Sequence, residues 1–286
     1  MEDLESLAAR VPDGALLALA PEYSWVPMAL IQALIRRRVK DLHLLTVPIG
    51  GLAADLLIGA GAVKTLESAA VSLGEAGPAP RFSEAVEGGA LDMRDSTCPA
   101  IHTALQASEK GVDFMPLGGL VGSDLVDNRD DWKVVDDPLG QGGGPVVLLP
   151  AIKPDVTVFH SPRADTEGNV WIGRRRELVT MAHAAAATLV TVEAVEDRDF
   201  LDDEATAAGT LSGLYVTAIA VAEGGARPLG LTGHYERDTD YIRAYAEEAK
   251  TGDGFKRYLD REVFAETGDE TETEAGVETG TETGAG

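Results

Sequence analysis

Short apolar runs alternate with helix-patterned stretches along the chain, and this alternation is what most constrains its fold. ALLALA at 15–20 and LHLLTV at 42–47 are almost continuously apolar, as strands buried on both faces are. Between them, Pro27 leads a helix-patterned segment, MALIQALIRRR, through about Arg38. A proline near a helix start gives up no helical hydrogen bond. After Pro48-Ile49-Gly50-Gly51, ADLLIGAG predicts a short helix and 66–73 a strand. Further helices are predicted at 80–88, 99–110, 175–186, 238–250 and 253–264. Further strands are predicted at 91–94, 146–149, 155–160, 188–193 and 214–222. The pattern predicts an α/β fold, a mainly parallel open sheet with helices on both faces. With no internal repeat and no linker in view, residues 1–264 are expected to form one domain.

Charge then narrows the partners. Asp plus Glu number 48 against 24 Lys plus Arg, a net charge of −24. Such a surface repels nucleic acid and anionic lipid, so neither is an expected partner. No apolar run reaches the roughly 18–20 residues that span a bilayer. Only 7 of the basic residues are lysine, and abundant acid with scarce lysine suggests a salt-loving organism. Metal buffering is the competing reading, but the acids are scattered rather than grouped at ligand spacing. Residues 265–286, AETGDETETEAGVETGTETGAG, hold six Glu and one Asp, with Val277 the single aliphatic residue beyond alanine. They are expected to form a disordered acidic tail, because they cannot bury enough apolar surface to order themselves. The single cysteine, Cys98, excludes an internal disulfide framework and a multi-cysteine metal site. With an acidic start unlike a signal peptide, this points to a reducing cytoplasm.

Residues that could carry chemistry are few. Gly50-Gly51 follows the second strand, and Gly118-Gly119 with Gly122-Ser123 lies in PLGGLVGSDL. Glycines at strand ends let backbone approach a ligand and turn its N–H groups on an anion; they also simply make tight turns. Neither cluster matches GxGxxG or GxxxxGK[ST], and no GxSxG elbow occurs. His43, His102, His160, His183 and His234 show no zinc-ligand spacing, so no metal is expected. Cys98 opens a helix in STCPAIHTAL, where a helix N-terminus can favour a thiolate; a small packed thiol is the alternative.

Several segments together resemble the A (alpha) subunit of family I coenzyme A transferases, glutaconate branch. They are PMALIQALIRRRVKDLHLLTVPIGGLAADLLIGAGAVKTL, GVDFMPLGGLVGSDL at 111–125, and LLPAIKPDVTVFHSPRADTEGNVWIG at 148–173. VTVEAVED at 190–197 and EGGARPLGLTGHY at 223–235 continue in the same order, covering roughly 10–260. The resemblance implies an open sheet of the NagB/RpiA/CoA-transferase type and a reaction that moves coenzyme A between carboxylic acids. It implies acyl-CoA as substrate, a small carboxylic acid as acceptor, and a B subunit in a heterodimer or heterotetramer. The nucleophilic glutamate belongs to a Ser-Glu-Asn-Gly-type motif on that B subunit; no such motif occurs here, and Glu193 falls in a different family segment. Covalent attack by a carboxylate splits one hard exchange into easier acyl transfers. This chain is then expected to contribute loops at Tyr23, Ser24, Trp25, Gly50, Gly51, Gly118, Gly119, Gly122 and Ser123.

Two departures from the family pattern stand out. Where the family carries a Gly-Gly-Phe turn, this chain reads Pro21-Glu22-Tyr23-Ser24-Trp25, which implies a different, bulkier or more aromatic acyl group. Where relatives place Gln or Glu before the 99–110 helix, this chain has Cys98, a poor oxyanion donor and base. An acyl-CoA hydrolase or ring-opening enzyme of the same family, and a non-catalytic acyl-CoA or sugar-phosphate binder, are the alternatives.

Overall fold

A computed structural model describes residues 1–137 and 139–265. The expected acidic tail, beyond its first residue, lies outside the described residues. The first half runs α1 (Leu4–Ala9), β1 (Leu16–Leu19), α2 (Met28–Arg36), β2 (Leu42–Thr46), β3 (Ile49–Gly50), α3 (Leu52–Gly59), β4 (Val63–Ser68), β5 (Ala70–Val71), α4 (Pro80–Glu87), β6 (Asp92–Asp95) and α5 (Cys98–Glu109). Next come β7 (Phe114–Leu117), α6 (Asp124–Asp127), β8 (Lys133–Val135), β9 (Val146–Pro150), β10 (Val156–Asp165), β11 (Val170–Trp171), α7 (Arg176–Ala184) and β12 (Ala187–Glu196). The chain closes with α8 (Glu204–Ala207), β13 (Thr210–Leu211), β14 (Ala218–Val221), α9 (Thr239–Glu248) and α10 (Gly252–Glu262).

The main sheet is parallel in the order β14-β12-β10-β1-β2-β4-β6. The far end of β10 also takes β11 antiparallel, and β13 pairs with β11 in turn. Alternate strand residues face opposite layers, as the two-residue strand period requires. Leu17, Leu19, Leu44 and Val158 pack in one core with Leu30 and Leu34 of α2, Leu57 of α3, and Tyr245 and Tyr258 of α9 and α10. Ala18, Leu45, Phe159 and Val190 pack in the other with Ile101 and Leu105 of α5 and Leu178 and Met181 of α7. Each large aliphatic side chain buried this way contributes about 1.5–3 kcal/mol. Helices therefore cover both faces, as the alternation predicts.

Four expectations need correction. VVLL at 146–149 is not in the main sheet. It forms β9, the centre of an antiparallel sheet β7-β9-β8 whose Val147 and Leu149 pack against Ala100 of α5. The strand expected at 66–73 begins earlier and breaks after Ser68, whose side chain bonds to both N and O of Ala70 and turns the chain. The strand expected at 214–222 opens instead with a 3₁₀ turn over Gly213–Tyr215, capped by Ser212. Helix α1, capped by Asp3 accepting from Ser6 N at 2.7 Å, has no counterpart among the predicted elements.

Candidate functional site

From β1 the chain steps to β2, β4 and β6 on one side, while β10, β12 and β14 lie on the other. The order reverses between β1 and β10, and the crevice beyond such a reversal is where open α/β sheets bind ligands. The loop after β1 enters it. Tyr23 stands 62% exposed at its tip, whereas Ser24 and Trp25 turn inward and are buried, Trp25 being 4% exposed. The Ser24 hydroxyl donates to the Glu177 carboxylate in the first turn of α7. Partial desolvation, with the nearby Glu177 carboxylate adding to it, holds the Tyr23 phenol above its ordinary range, and Cys98 stands beside the same ring. Burial lowers the His102 pKa, with Glu177 opposing. Tyr23, Ser24, Cys98, His102 and Glu177 are thus one neighbourhood. Cys98 is exposed on the first turn of α5, which Thr97 caps by accepting from Ala100 N at 3.3 Å.

Trp25 adopts φ +57°, a left-handed conformation that costs a non-glycine residue about 1–2 kcal/mol. Its neighbours hold it there. Its carbonyl accepts from His160 N at 2.7 Å, and the Arg175 guanidinium covers its ring 3.5 Å from the centroid. His160 sits in a buried network. Its Nδ1 lies 2.8 Å from the Thr191 hydroxyl and its Nε2 lies 2.8 Å from Glu193 Oε1. Burial lowers the His160 pKa, so the ring is neutral, with Nε2–H donating to Glu193 and Nδ1 accepting from Thr191. Glu193 also accepts from the Tyr235 hydroxyl at 2.7 Å and from Gly224 N at 2.7 Å. Burial pushes the Glu193 carboxyl up, but these three donors outweigh it and hold the pKa at about 2. Tyr235 is pushed up by burial and by Glu193, and its oxygen accepts from Ala226 N at 3.0 Å. Gly225 must be glycine, since a Cβ there would stand 2.7 Å from His160 Cε1.

Beside this network, Trp25, Arg163, Trp171, Arg175, Glu193 and His234 line an open cavity of about 650 Å³. On the other side of the same loop, Glu22 and Tyr23 line a second cavity, of about 560 Å³, with Ile49, Leu73, Arg237 and Ile242. Gly51, the N-cap of α3, leaves room for Glu22: a Cβ on Gly51 would lie 2.2 Å from its carboxyl carbon. Gly50 is also tightly placed, 2.8 Å from the Thr46 methyl by the same measure.

The Gly118–Ser123 loop lies elsewhere, beyond β7 of the small sheet. Gly118, Gly119 and Gly122 face open space, and Ser123 donates back to Leu120 O at 2.7 Å. Leu120 packs on Ala100, so the loop flanks the first turn of α5 rather than the two cavities. A buried ion cluster ties that small sheet to the main one. Glu67 accepts from Arg129 at 2.9 Å, and Arg129 also pairs with Asp131 at 2.9 Å. The Asp165 and Asn169 pair serves as scaffold, Asp165 accepting from Asn169 N and Phe200 N at 2.8 Å each. No group of His, Cys, Asp and Glu able to hold a metal occurs among the described residues.

Residues 1–222 match the family model described as coenzyme A transferase. The chain belongs to the coenzyme A transferase family. It is 30% identical to the A subunit of the 3-oxoadipate CoA-transferase of Pseudomonas knackmussii, over 91% of both chains. It is 28% identical to the A subunit of the glutaconate CoA-transferase of Acidaminococcus fermentans, over 83% of this chain and 79% of that one. The crystal structure of the Acidaminococcus enzyme superposes with a TM-score of 0.84 at 26% identity, over 92% of this chain and 88% of that one. The decarboxylase AibA/AibB superposes with a TM-score of 0.78 at 30% identity, over 91% and 98%. CoA transferases act on coenzyme A thioesters, and this member's fold is theirs.

Sequence reasoning brought Tyr23–Trp25, Gly50-Gly51 and Cys98 to notice, and they meet at one end of the sheet. It passed over Glu22, Glu177, Arg175, Arg237 and Tyr235, and left His160 and Glu193 without roles. One signal was available. FHSPRAD, TVEAVE and EGGARPLGLTGHY are three of the stretches that carry the family resemblance, and each supplies one or more members of the His160–Glu193–Tyr235 network.

Proposed function

We propose that this chain is the A-type half of a two-subunit CoA transferase that moves coenzyme A between carboxylic acids, with the attacking glutamate on a B-type partner. The state of Glu193 carries this reading. It is a strand-borne glutamate lining the crevice, yet three donors hold it ionised, and a carboxylate so stabilised is a poor nucleophile. Its place is to lock the Gly224-Gly225 turn and the Trp25 loop that wall the crevice. The attacking carboxylate then comes from the partner. It adds to the thioester carbonyl and expels CoA thiolate, leaving a mixed anhydride; the thiolate returns to the enzyme's own carbonyl and releases the donor acid. The acceptor acid completes the exchange in reverse. Tyr23, Ser24, Gly50, Gly51 and Cys98 shape the acyl end of that site.

The apolar surface supports a partner. Val112, Phe114, Val121, Val134 and Leu139 are exposed and all belong to the segment around the small antiparallel sheet, on an otherwise acidic chain. Such a grouping marks an interaction face.

The test is co-expression with a B-type partner, followed by incubation with acyl-CoA, with and without an acceptor acid. Acceptor-dependent CoA transfer, lost when borohydride reduces a partner glutamate, is expected. CoA release at the same rate with and without acceptor would overturn transfer in favour of hydrolysis.

A further inference from the structure

Glu22 is an odd residue to keep in this position. Its side chain is only 12% exposed, and neither carboxylate oxygen makes a well-aligned hydrogen bond among the described residues, the Leu52 N–H and the Arg237 guanidinium being its nearest donors. A buried carboxylate left without such bonds is costly to fold. The Arg237 guanidinium stands 3.2 Å from Oε1, off the line of a well-aligned hydrogen bond, and among the described residues otherwise reaches only the Leu73 carbonyl at 3.5 Å. Both side chains line the cavity of about 560 Å³, and the glycine at position 51 preserves the space Glu22 occupies. The pair is therefore loosely joined, in an open cavity, with donor and acceptor capacity unspent.

We propose that Glu22 and Arg237 form a subsite for a carboxylate group, with Arg237 as its counter-ion and Glu22 as the group that gives way. This rests on the coenzyme A transferase reading and adds to it the residues that recognise an acid. An incoming carboxylate takes Arg237 from Glu22 and places a second negative charge beside it. Like-charge repulsion then favours protonated Glu22, which donates its O–H to the ligand. Well above pH 7, where Glu22 starts ionised, up to one proton is taken from solvent for each carboxylate bound, and near pH 7 about half of that. Glu22 is already poised for this, since burial raises its pKa to about 7, with Arg237 and the Leu52 N–H opposing.

The other charged neighbours do not substitute for Glu22. Asp55, one turn along α3, accepts from Phe82 N at 2.7 Å and from the Tyr245 hydroxyl at 2.6 Å. Glu75 on the cavity rim is largely exposed and lies 3.9 Å from Arg243. Asp238, beside Arg237, caps α9 by accepting from Tyr241 N at 2.9 Å, and Asp240 lies 3.3 Å from Arg243. Tyr23 lines the cavity with its pKa raised further from neutrality.

The carboxylate could belong to the free acid or to the far end of a dicarboxylic acyl chain. Calorimetry on the full chain separates these sources with three probes: pentanoate, glutaryl-CoA and pentanoyl-CoA. Titrations in buffers of different ionisation enthalpy count the protons. At about pH 8, proton uptake approaching one per pentanoate bound places the free acid in the subsite, and uptake with glutaryl-CoA but not pentanoyl-CoA places the distal carboxylate there. In either case affinity should fall towards tenfold per pH unit above about 7. Glu22→Gln should abolish the proton uptake while the ligand still binds, and Arg237→Met should weaken binding at least tenfold. The proposal is overturned if no probe binds with proton uptake, or if Glu22→Gln leaves that uptake intact. Proton-linked binding without CoA transfer by the co-expressed pair would sink the transferase reading alone.

Discussion

Replacing Tyr235 by Phe removes one oxygen from the buried network and leaves two consequences. Glu193 loses one of three donors, and the Ala226 N–H, fully buried, loses the phenolic oxygen it donates to at 3.0 Å. The Glu193 carboxyl sits at about 2 against 4.5 when unperturbed, a shift worth about 3 kcal/mol. Glu193 is 15% exposed, and solvent screening at that edge discounts the value to about 2 kcal/mol shared among the donors. The orphaned N–H adds about 1–3 kcal/mol. The expected loss near neutral pH is therefore about 2–4 kcal/mol in urea unfolding. Because the folded pKa is depressed, the Glu193 contribution is complete above about 4.5 and disappears as pH falls towards 2. The difference between Tyr235→Phe and the parent should accordingly shrink as pH falls below about 4.5 and leave mainly the Ala226 part only near pH 2. A loss below about 0.5 kcal/mol at pH 7 would refute the network's role in stability. A loss equal at pH 7 and near pH 2 would refute the assignment of the charge-assisted part.

Gly225→Ala drives a Cβ to 2.6 Å from the Ala222 carbonyl and 2.7 Å from His160, and should cost about 1–3 kcal/mol, read as a lower urea midpoint; an unchanged midpoint would show that the turn yields. Cys98→Ser should keep most transferase activity in the co-expressed pair, because the thiol is exposed to solvent; a hundredfold fall in kcat would give it a direct role. With a net charge of −24, the protein should melt at a higher temperature in molar KCl than in dilute buffer, and equal Tm values would contradict adaptation to salt.

Local pattern was enough for most strands of the main sheet and the longer helices that cover it. The apolar runs at 15–20 and 42–47 could only be satisfied inside a covered sheet, and Pro27, Pro80 and Pro99 each stand at a helix start where no N–H is needed. Composition was enough to exclude a multi-cysteine metal site, because a cysteine count does not depend on folding. Pairing was not legible. VVLL reads as a buried strand whether it joins the main sheet or the small one, and only its distant partners at 114–117 and 133–135 decide. The same holds for the site. His160 and Glu193 lie 33 residues apart and Glu193 and Tyr235 lie 42 apart, so their network exists only because β10 pairs with β12 and the chain returns beyond β14. Glu22 is one more surface acid in the sequence; the glycine at 51 and the arginine at 237 make it a buried carboxyl near pH 7, since a pKa is set by what surrounds a group in space.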